Sequence, residues 1–538
     1  MNTTATILAP GERLPAVARA VALAAALIVV SALCGCMTLD RNTPRTPSSA
    51  LNPTESRLTS LGQTWAGIAP EDAALSAFRL LPSSLEAFAA RVAAIDAAER
   101  TLDLQYYIFH TDDTGLFLVD RLVTAADRGV RVRILVDDMY THGIEKNLAA
   151  FDAHPNIELR IFNPWTQRSG ALVRGIEFLF SPRLNHRMHN KLFIADGTVA
   201  ILGGRNLADE YFDLNPEFEF RDLDVAAVGP IVSEANHLFD EFWNGPDAIP
   251  VTGLKPKPDV DAMLVEGRTR LIAHREHMKE SAYAVAVKGT EFVQQLRTKS
   301  VSWVFAHGHV LGDPPVKAKG GDEGREAPTL TAQLRDDFYS AKRELLISSP
   351  YFVPGKAATA RLGELDAGGV DVRILTNSLA ANDVPIAHAN YAKYRKGLLR
   401  GGVEVFELRK RAATDASKRS QRGYGSVNAS LHAKTFVIDR ERVFIGSLNL
   451  DPRSVVINTA VGALVDSPDL ASSVAGSITM LMGPEWSYGL ALTDDGKLIW
   501  IGKDANGAET RLTTDPDTSW WDRFKTGLIG LLPLEGQS

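Results

Sequence analysis

His189-Asn190-Lys191-Leu192-Phe193-Ile194-Ala195-Asp196 recurs as His432-Ala433-Lys434-Thr435-Phe436-Val437-Ile438-Asp439, 243 residues further on (189 to 432). A second phased segment follows each copy, Gly203-Gly204-Arg205-Asn206 and Gly446-Ser447-Leu448-Asn449. One match to His-x-Lys-x4-Asp in a chain of this length has a chance of about 0.02–0.03. Two copies with the same Gly-[Gly/Ser]-x-Asn behind them are not coincidence. Alternate residues of a strand share a face. His189 and Lys191 are therefore expected to point one way, as are His432 and Lys434, with Phe193 and Phe436 carrying that face into a core.

The surrounding pattern repeats as well. Apolar residues at helical spacing over Ser83 to Arg100 precede a strand at Leu102–Ile108. A helix over Leu116–Ala126 then stops at Gly129, before a buried strand over Val130–Val136. Later, Leu345–Ser348 reads as strand, Ala357–Leu365 as helix, and Gly369–Leu375 matches Gly129–Leu135 at all but one position. Strand–helix–strand order predicts an α/β fold with mixed sheets flanked by helices, and the domain-sized period predicts two homologous lobes. Pro/Gly-rich, charged stretches near 250–258 and 312–328 place the lobes at about 71–250 and 330–485. Residues 251–329 connect them and partly join the second lobe, because Val301–Phe305 resembles a strand. Residues 36–70 read as a tether and 486–538 as a tail.

A pseudo-twofold between such lobes would gather two imidazoles and two ammonium groups in one cleft. The lysines would attract an anionic phosphoryl group, with Asn206, Asn449 and Ser447 donating hydrogen bonds to it. One histidine can attack phosphorus while the other protonates the leaving oxygen. This chemistry needs no metal and no cofactor.

These motifs resemble those of the phospholipase D superfamily over about Leu85 to Pro484, closest to bacterial cardiolipin synthases of the C type. Supporting stretches are Leu102–Tyr107, Arg221–Val225, Ser349–Gly355, Thr376–Asp383 and Asp451–Ser454. The resemblance implies a phosphatidyl group held on a histidine and passed to an alcohol. The acceptor is phosphatidylglycerol for cardiolipin synthesis or water for hydrolysis, and phosphatidylethanolamine is a further possible substrate. It implies His189 as nucleophile, His432 as general acid and then base, and Lys191, Lys434, Asn206 and Asn449 around the phosphate. Asp196 and Asp439 would brace the motif. A downstream carboxylate is expected to orient each histidine, and Asp222 fits that role for the first copy. Asn458-Thr459-Ala460 stands where Asn-Thr-Glu is usual, so the second copy lacks its carboxylate. A phosphodiesterase or nuclease, or a non-enzymatic lipid-binding envelope protein, stays open at this point.

The 538 residues carry a net charge of −7, with 45% hydrophobic and 23% charged residues, as in globular proteins. The acidic balance argues against nucleic acid as partner. Cys34 and Cys36 are the two cysteines, so the body has no disulfide, no cysteine-bound metal and no thiol nucleophile. Arg13 and Arg19 precede the apolar run Ala20–Leu33, which is shorter than the roughly 20 residues of a spanning helix. Leu33-Cys34-Gly35-Cys36 resembles a lipobox, implying a signal peptide over 1–35 and a lipid on Cys36; an uncleaved anchor is the alternative. Met37 then implies an outer-membrane lipoprotein facing the periplasm. Trp520, Trp521, Arg523 and Lys525 beside an apolar stretch suit membrane contact by the tail.

Overall fold

The computed structural model describes Leu39–Leu531 apart from residues 167, 169–173, 175–176, 178–179, 254–259, 411–425, 427 and 505. The N-terminal apolar run, Cys34 and Cys36 lie outside the described residues. None of the described helices is long and apolar enough to cross a membrane.

Two mixed sheets with the same internal order make up the body. In the first lobe, Thr101–Tyr106, Arg131–Asp137 and Ile157–Phe162 run parallel. They are joined through the helices Asp113–Asp127 and Glu145–Asp152. Antiparallel strands Leu192–Ala195, Val199–Gly203, Asp224–Val228 and Ser76–Leu81 extend the sheet in that order. The second lobe repeats this with Glu344–Ser348, Asp371–Asn377 and Glu404–Leu408 parallel. Lys434–Ile438, Arg442–Gly446, Val461–Asp466 and Val304–Gly312 follow antiparallel. Buried parallel strands need apolar side chains on both faces. Val132, Ile134 and Val136 supply one face and Leu135 the other in the first lobe, and Val372 and Ile374 one face and Leu375 the other in the second.

The strand Val304–Gly312 belongs to both sheets. Its first residues pair with Ser76–Phe78 and the remainder with Val461–Asp466. It is thus the second lobe's counterpart of Ser76–Leu81, and it lies later than the 301–305 expected from sequence, overlapping it only at Val304 and Phe305. Phe193 and Phe436 each sit in the core of their own lobe. A third core mixes the lobes, with Leu202 and Val225 packed among Val443 and Val461.

Two expectations for the flanks change. Residues 39–68 do not hang free as a tether. They lie along the first lobe because buried guanidinium groups there need acceptors. Arg133 donates to Ser48 O at 2.8 Å and Arg160 to Thr46 O at 2.7 Å. Arg133 is 1% exposed and also pairs with Asp103 at 2.6 Å and Asp240 at 2.9 Å. Residues 486–538 are likewise more than a tail. Ser487–Leu492, Leu498–Lys503 and Glu509–Leu512 add three antiparallel strands beside Glu404–Leu408. Trp500 from this addition donates through Nε1 to the buried Glu407 at 2.8 Å.

Removing one partner of a buried ion pair leaves an uncompensated charge. Arg133→Ala is therefore expected to lower folding stability by about 3–5 kcal/mol in a denaturant titration. Arg335→Ala, on an exposed helix face, should stay within about 0.5 kcal/mol.

Candidate active site

The two histidines are placed by reciprocal stitches between the lobes. The segment just before His189 pairs with the second lobe. Met188 bridges Thr459, His189 N donates to Thr459 O at 3.0 Å, and Thr459 N donates to Arg187 O at 3.0 Å. The segment before His432 pairs with the first lobe, as Asn428–Leu431 runs parallel to Phe218–Arg221 and His432 N donates to Arg221 O at 2.8 Å. Each turn is also held from its own sheet. Asp137 accepts from Met188 N at 2.8 Å, and Asn377 holds Leu431 through two bonds of 2.9 Å. Neither Asp137 nor Asn377 was singled out in the sequence. Both stand two residues beyond the matched Gly129–Leu135 and Gly369–Leu375 stretches, which was the available signal.

All four motif side chains are buried. His189 is 9% exposed and His432 4%, with Lys191 and Lys434 at 1% each. Each ammonium donates to the carbonyl of its own histidine, Lys191 to His189 O at 2.8 Å and Lys434 to His432 O. Burial and then the nearby lysines push both imidazoles below their ordinary range, His432 to about 3. Burial also lowers the two lysines, Lys191 well below its usual value, with Lys434 at its back, and Lys434 to about 8. Desolvated cations that repel one another make a site built for an anion.

The imidazoles have unequal partners. Nδ1 of His432 lies 2.6 Å from Oδ2 of Asp222, whereas Nδ1 of His189 lies 3.0 Å from the carbonyl oxygen of Ser447. Asp222 therefore serves the histidine of the other copy, not that of its own. The lobes meet face to face, so the residue at the end of one motif reaches across the cleft. Strand register shows what replaces it on the other side. Gly203 pairs with Asp224 and Gly446 with Gly462, so Ala460 occupies the place of Asp222. Gly204 leaves room for that carboxylate, since a Cβ there would lie 2.2 Å from Oδ1 of Asp222. Its counterpart Ser447 faces no carboxylate and turns its hydroxyl to Val461, accepting from N at 3.0 Å and donating to O at 3.2 Å. Gly204 with Asp222, and Ser447 with Ala460, are matched pairs. Comparing the two copies position by position could have revealed them.

The other expected site residues fall as follows. Asp196 accepts from the backbone amides of Glu99, Arg100 and Thr101 at 2.8–2.9 Å. Asp439 does the same for Arg343 at 2.7 Å and Glu344 at 3.0 Å. Both clamp the start of a neighbouring strand. Asn206 donates to Tyr211 OH at 2.7 Å, and that ring stands edge-on to His432 at 5.2 Å. Oδ1 of buried Asn449 has no hydrogen-bond partner among the described residues. Sequence reasoning missed the aromatic lining: Phe220 lies 4.7 Å from the His432 ring and Tyr107 5.1 Å from that of His189. Such walls exclude water and hold the rings in orientation.

The family described as cardiolipin synthase, PLD-like domain, matches residues 92–243 and again 334–481, once for each lobe. The chain belongs to the phospholipase D superfamily, in its cardiolipin synthase family. It is accordingly an enzyme of the phosphatidyltransferase type. Cardiolipin synthase C of Escherichia coli (strain K12) is 39% identical over 460 residues, covering 85% of this chain and 94% of that protein. An uncharacterized protein of Helicobacter pylori (strain J99) is 32% identical over 501 residues, 93% of this chain and 96% of that one. Among solved structures, phosphatidylserine synthase of Haemophilus influenzae Rd KW20 aligns with a TM-score of 0.49 at 15% identity, over 80% of this chain and 92% of that chain.

Proposed function

We propose that the enzyme transfers a phosphatidyl group to phosphatidylglycerol, forming cardiolipin through a phosphohistidine on His189. The unequal partners of the two imidazoles carry this reading. A carbonyl acceptor at Nδ1 leaves His189 neutral, with its Nε2 lone pair free to attack phosphorus. A carboxylate at Nδ1 stabilises the imidazolium form of His432, as a proton donor requires. In the first step a P–N bond forms at His189 while the P–O bond to the leaving alcohol breaks, and that oxygen takes the proton of His432. In the second, a hydroxyl of phosphatidylglycerol gives its proton to His432 and attacks phosphorus, and the P–N bond breaks. With phosphatidylglycerol as donor too, two molecules give one cardiolipin and one glycerol. An anionic phosphate between Lys191 and Lys434 offsets the repulsion that depresses both imidazoles, so substrate binding raises the proton affinity of His432.

Exposed aromatic residues near the site support a membrane setting for this reading. In the helix Trp520–Gly530, Phe524 stacks on both Trp520 and Trp521, leaving Trp520 65% and Trp521 53% exposed. It packs on the helix Pro385–Tyr391, which follows Asp383. Asp383 accepts from Tyr351 and acts on Lys434. In our reading this face meets the bilayer, and a lipid on Cys36 holds the protein at the outer membrane on its periplasmic side. Purified protein with phosphatidylglycerol vesicles should yield cardiolipin and glycerol in equal amounts. Phosphatidic acid alone would make the enzyme a hydrolase, and no turnover by folded protein would overturn the assignment.

A further inference from the structure

We propose that an apolar cavity beside His189 holds one acyl chain of the phospholipid during transfer; this rests on the phosphatidyl-transfer reading above. The cavity has a volume of about 250 Å³. It opens to the surface and is lined mostly by apolar side chains. Tyr107 forms its wall toward the site. The same ring meets His189 edge-on at 5.1 Å and has Nζ of Lys191 over it at 5.3 Å. Tyr140, edge-on to Tyr107 at 5.9 Å, also lines the cavity.

From there the cavity follows the helix Asp113–Asp127. Leu116, Val119 and Val123 line it at i, i+3 and i+7, a single stripe of that helix. The stripe spans about 10 Å at 1.5 Å per residue. Leu148 and Phe151 of the helix Glu145–Asp152 face it from a second side. The helix Val260–Lys279, inserted between the lobes in sequence, closes the third side with Gly267 and Leu271. Beyond Val123, Asp127 pairs with His154 at 3.0 Å and Arg268 at 2.8 Å, a polar end to an apolar channel. Its mostly apolar lining and its start at Tyr107, beside His189 and Lys191, suit a hydrocarbon tail joined to that phosphate, with His110, Asn147 and Glu266 among the polar residues at its edges.

Gly267 sharpens the assignment. Glycine is a poor helix former, yet it sits inside a 20-residue helix, and a Cβ built on it meets nothing within 4 Å. No neighbour requires glycine; a side chain there would enter the free volume. Gly267→Leu and Gly267→Phe are therefore plugs that need no backbone shift, and Val119→Trp plugs from the opposite wall. The full-length enzyme should be assayed with dioleoyl- and dibutyryl-phosphatidylglycerol in detergent micelles. The plugs are expected to lower kcat/KM for the dioleoyl lipid by about tenfold or more, mainly through KM, and to leave the dibutyryl lipid within about twofold. A dioleoyl analogue with a photoreactive group along one chain should label the peptides of Leu148 and Phe151 in the unsubstituted enzyme. Equal loss on both lipids, no loss on either, or labelling elsewhere would overturn the acyl site while leaving phosphatidyl transfer standing. Failure of the unsubstituted enzyme to use either lipid would instead overturn the transfer reading, and this proposal with it.

Discussion

His189→Asn is expected to remove lipid transfer altogether, while His432→Asn slows it and, with a leaving group that needs no proton, stalls with the phosphoryl group attached to His189. The difference follows from the two Nδ1 partners. His189 donates toward a carbonyl, which fixes its tautomer without adding charge. His432 faces a carboxylate at 2.6 Å, which rewards protonation. Loss of a general acid typically costs about 10²–10⁴ in rate, so His432→Asn should fall by that amount on a natural lipid. With a p-nitrophenyl phosphodiester, whose leaving group needs no proton, the first step should recover. The second step still lacks its base, so the variant should show a burst of p-nitrophenolate of about one equivalent per enzyme. Mass spectrometry should then find the adduct on the peptide of His189. In His189→Asn neither burst nor adduct is expected. An adduct on His432 in that variant would reverse the assignment.

Asp222→Asn carries the second large effect. The amide retains an oxygen that can accept from Nδ1 of His432, so geometry is largely kept and charge is what is lost. The carboxylate is buried, and His432 holds its carboxyl below the usual range against the opposing effect of burial. Removing it leaves His432 with burial and Lys434, both of which lower its proton affinity. The variant should lose about 10²–10³ in kcat, with the pH at which the proton donor titrates moved lower. The sign is testable. If Asp222 only braced the turn, rate would fall at every pH with the profile unmoved. Ala460→Glu should not give His189 a carboxylate partner by itself, because Ser447 fills the space that Gly204 leaves open for Asp222. The double variant Ser447→Gly with Ala460→Glu is the one that makes room.

Much of this was legible because the chain states its chemistry twice. A 243-residue offset phases His189, Lys191, Asp196 and Asn206 with His432, Lys434, Asp439 and Asn449, and β-period 2 with helical 3.6 locates the strands and helices around them. The readings that changed depended on contacts between distant segments. Nothing local tells that Ser48 O will face Arg133, so 39–68 reads as a polar tether. Nothing local tells that Ser487–Leu512 finds a free sheet edge beside Glu404–Leu408.

The sequence alone therefore determined the duplication, the α/β class, the paired histidines and lysines and the family they belong to, since these depend on residue type and spacing. Tertiary structure decided which carboxylate serves which histidine. Asp222 lies 33 residues after His189 but 210 residues before His432, the histidine it touches. The lobes face each other, and a carboxylate at the end of one motif points across the cleft, where one-dimensional spacing carries no information. The same packing set a bare carbonyl opposite His189, and with it the difference between the two imidazoles on which the division of labour depends.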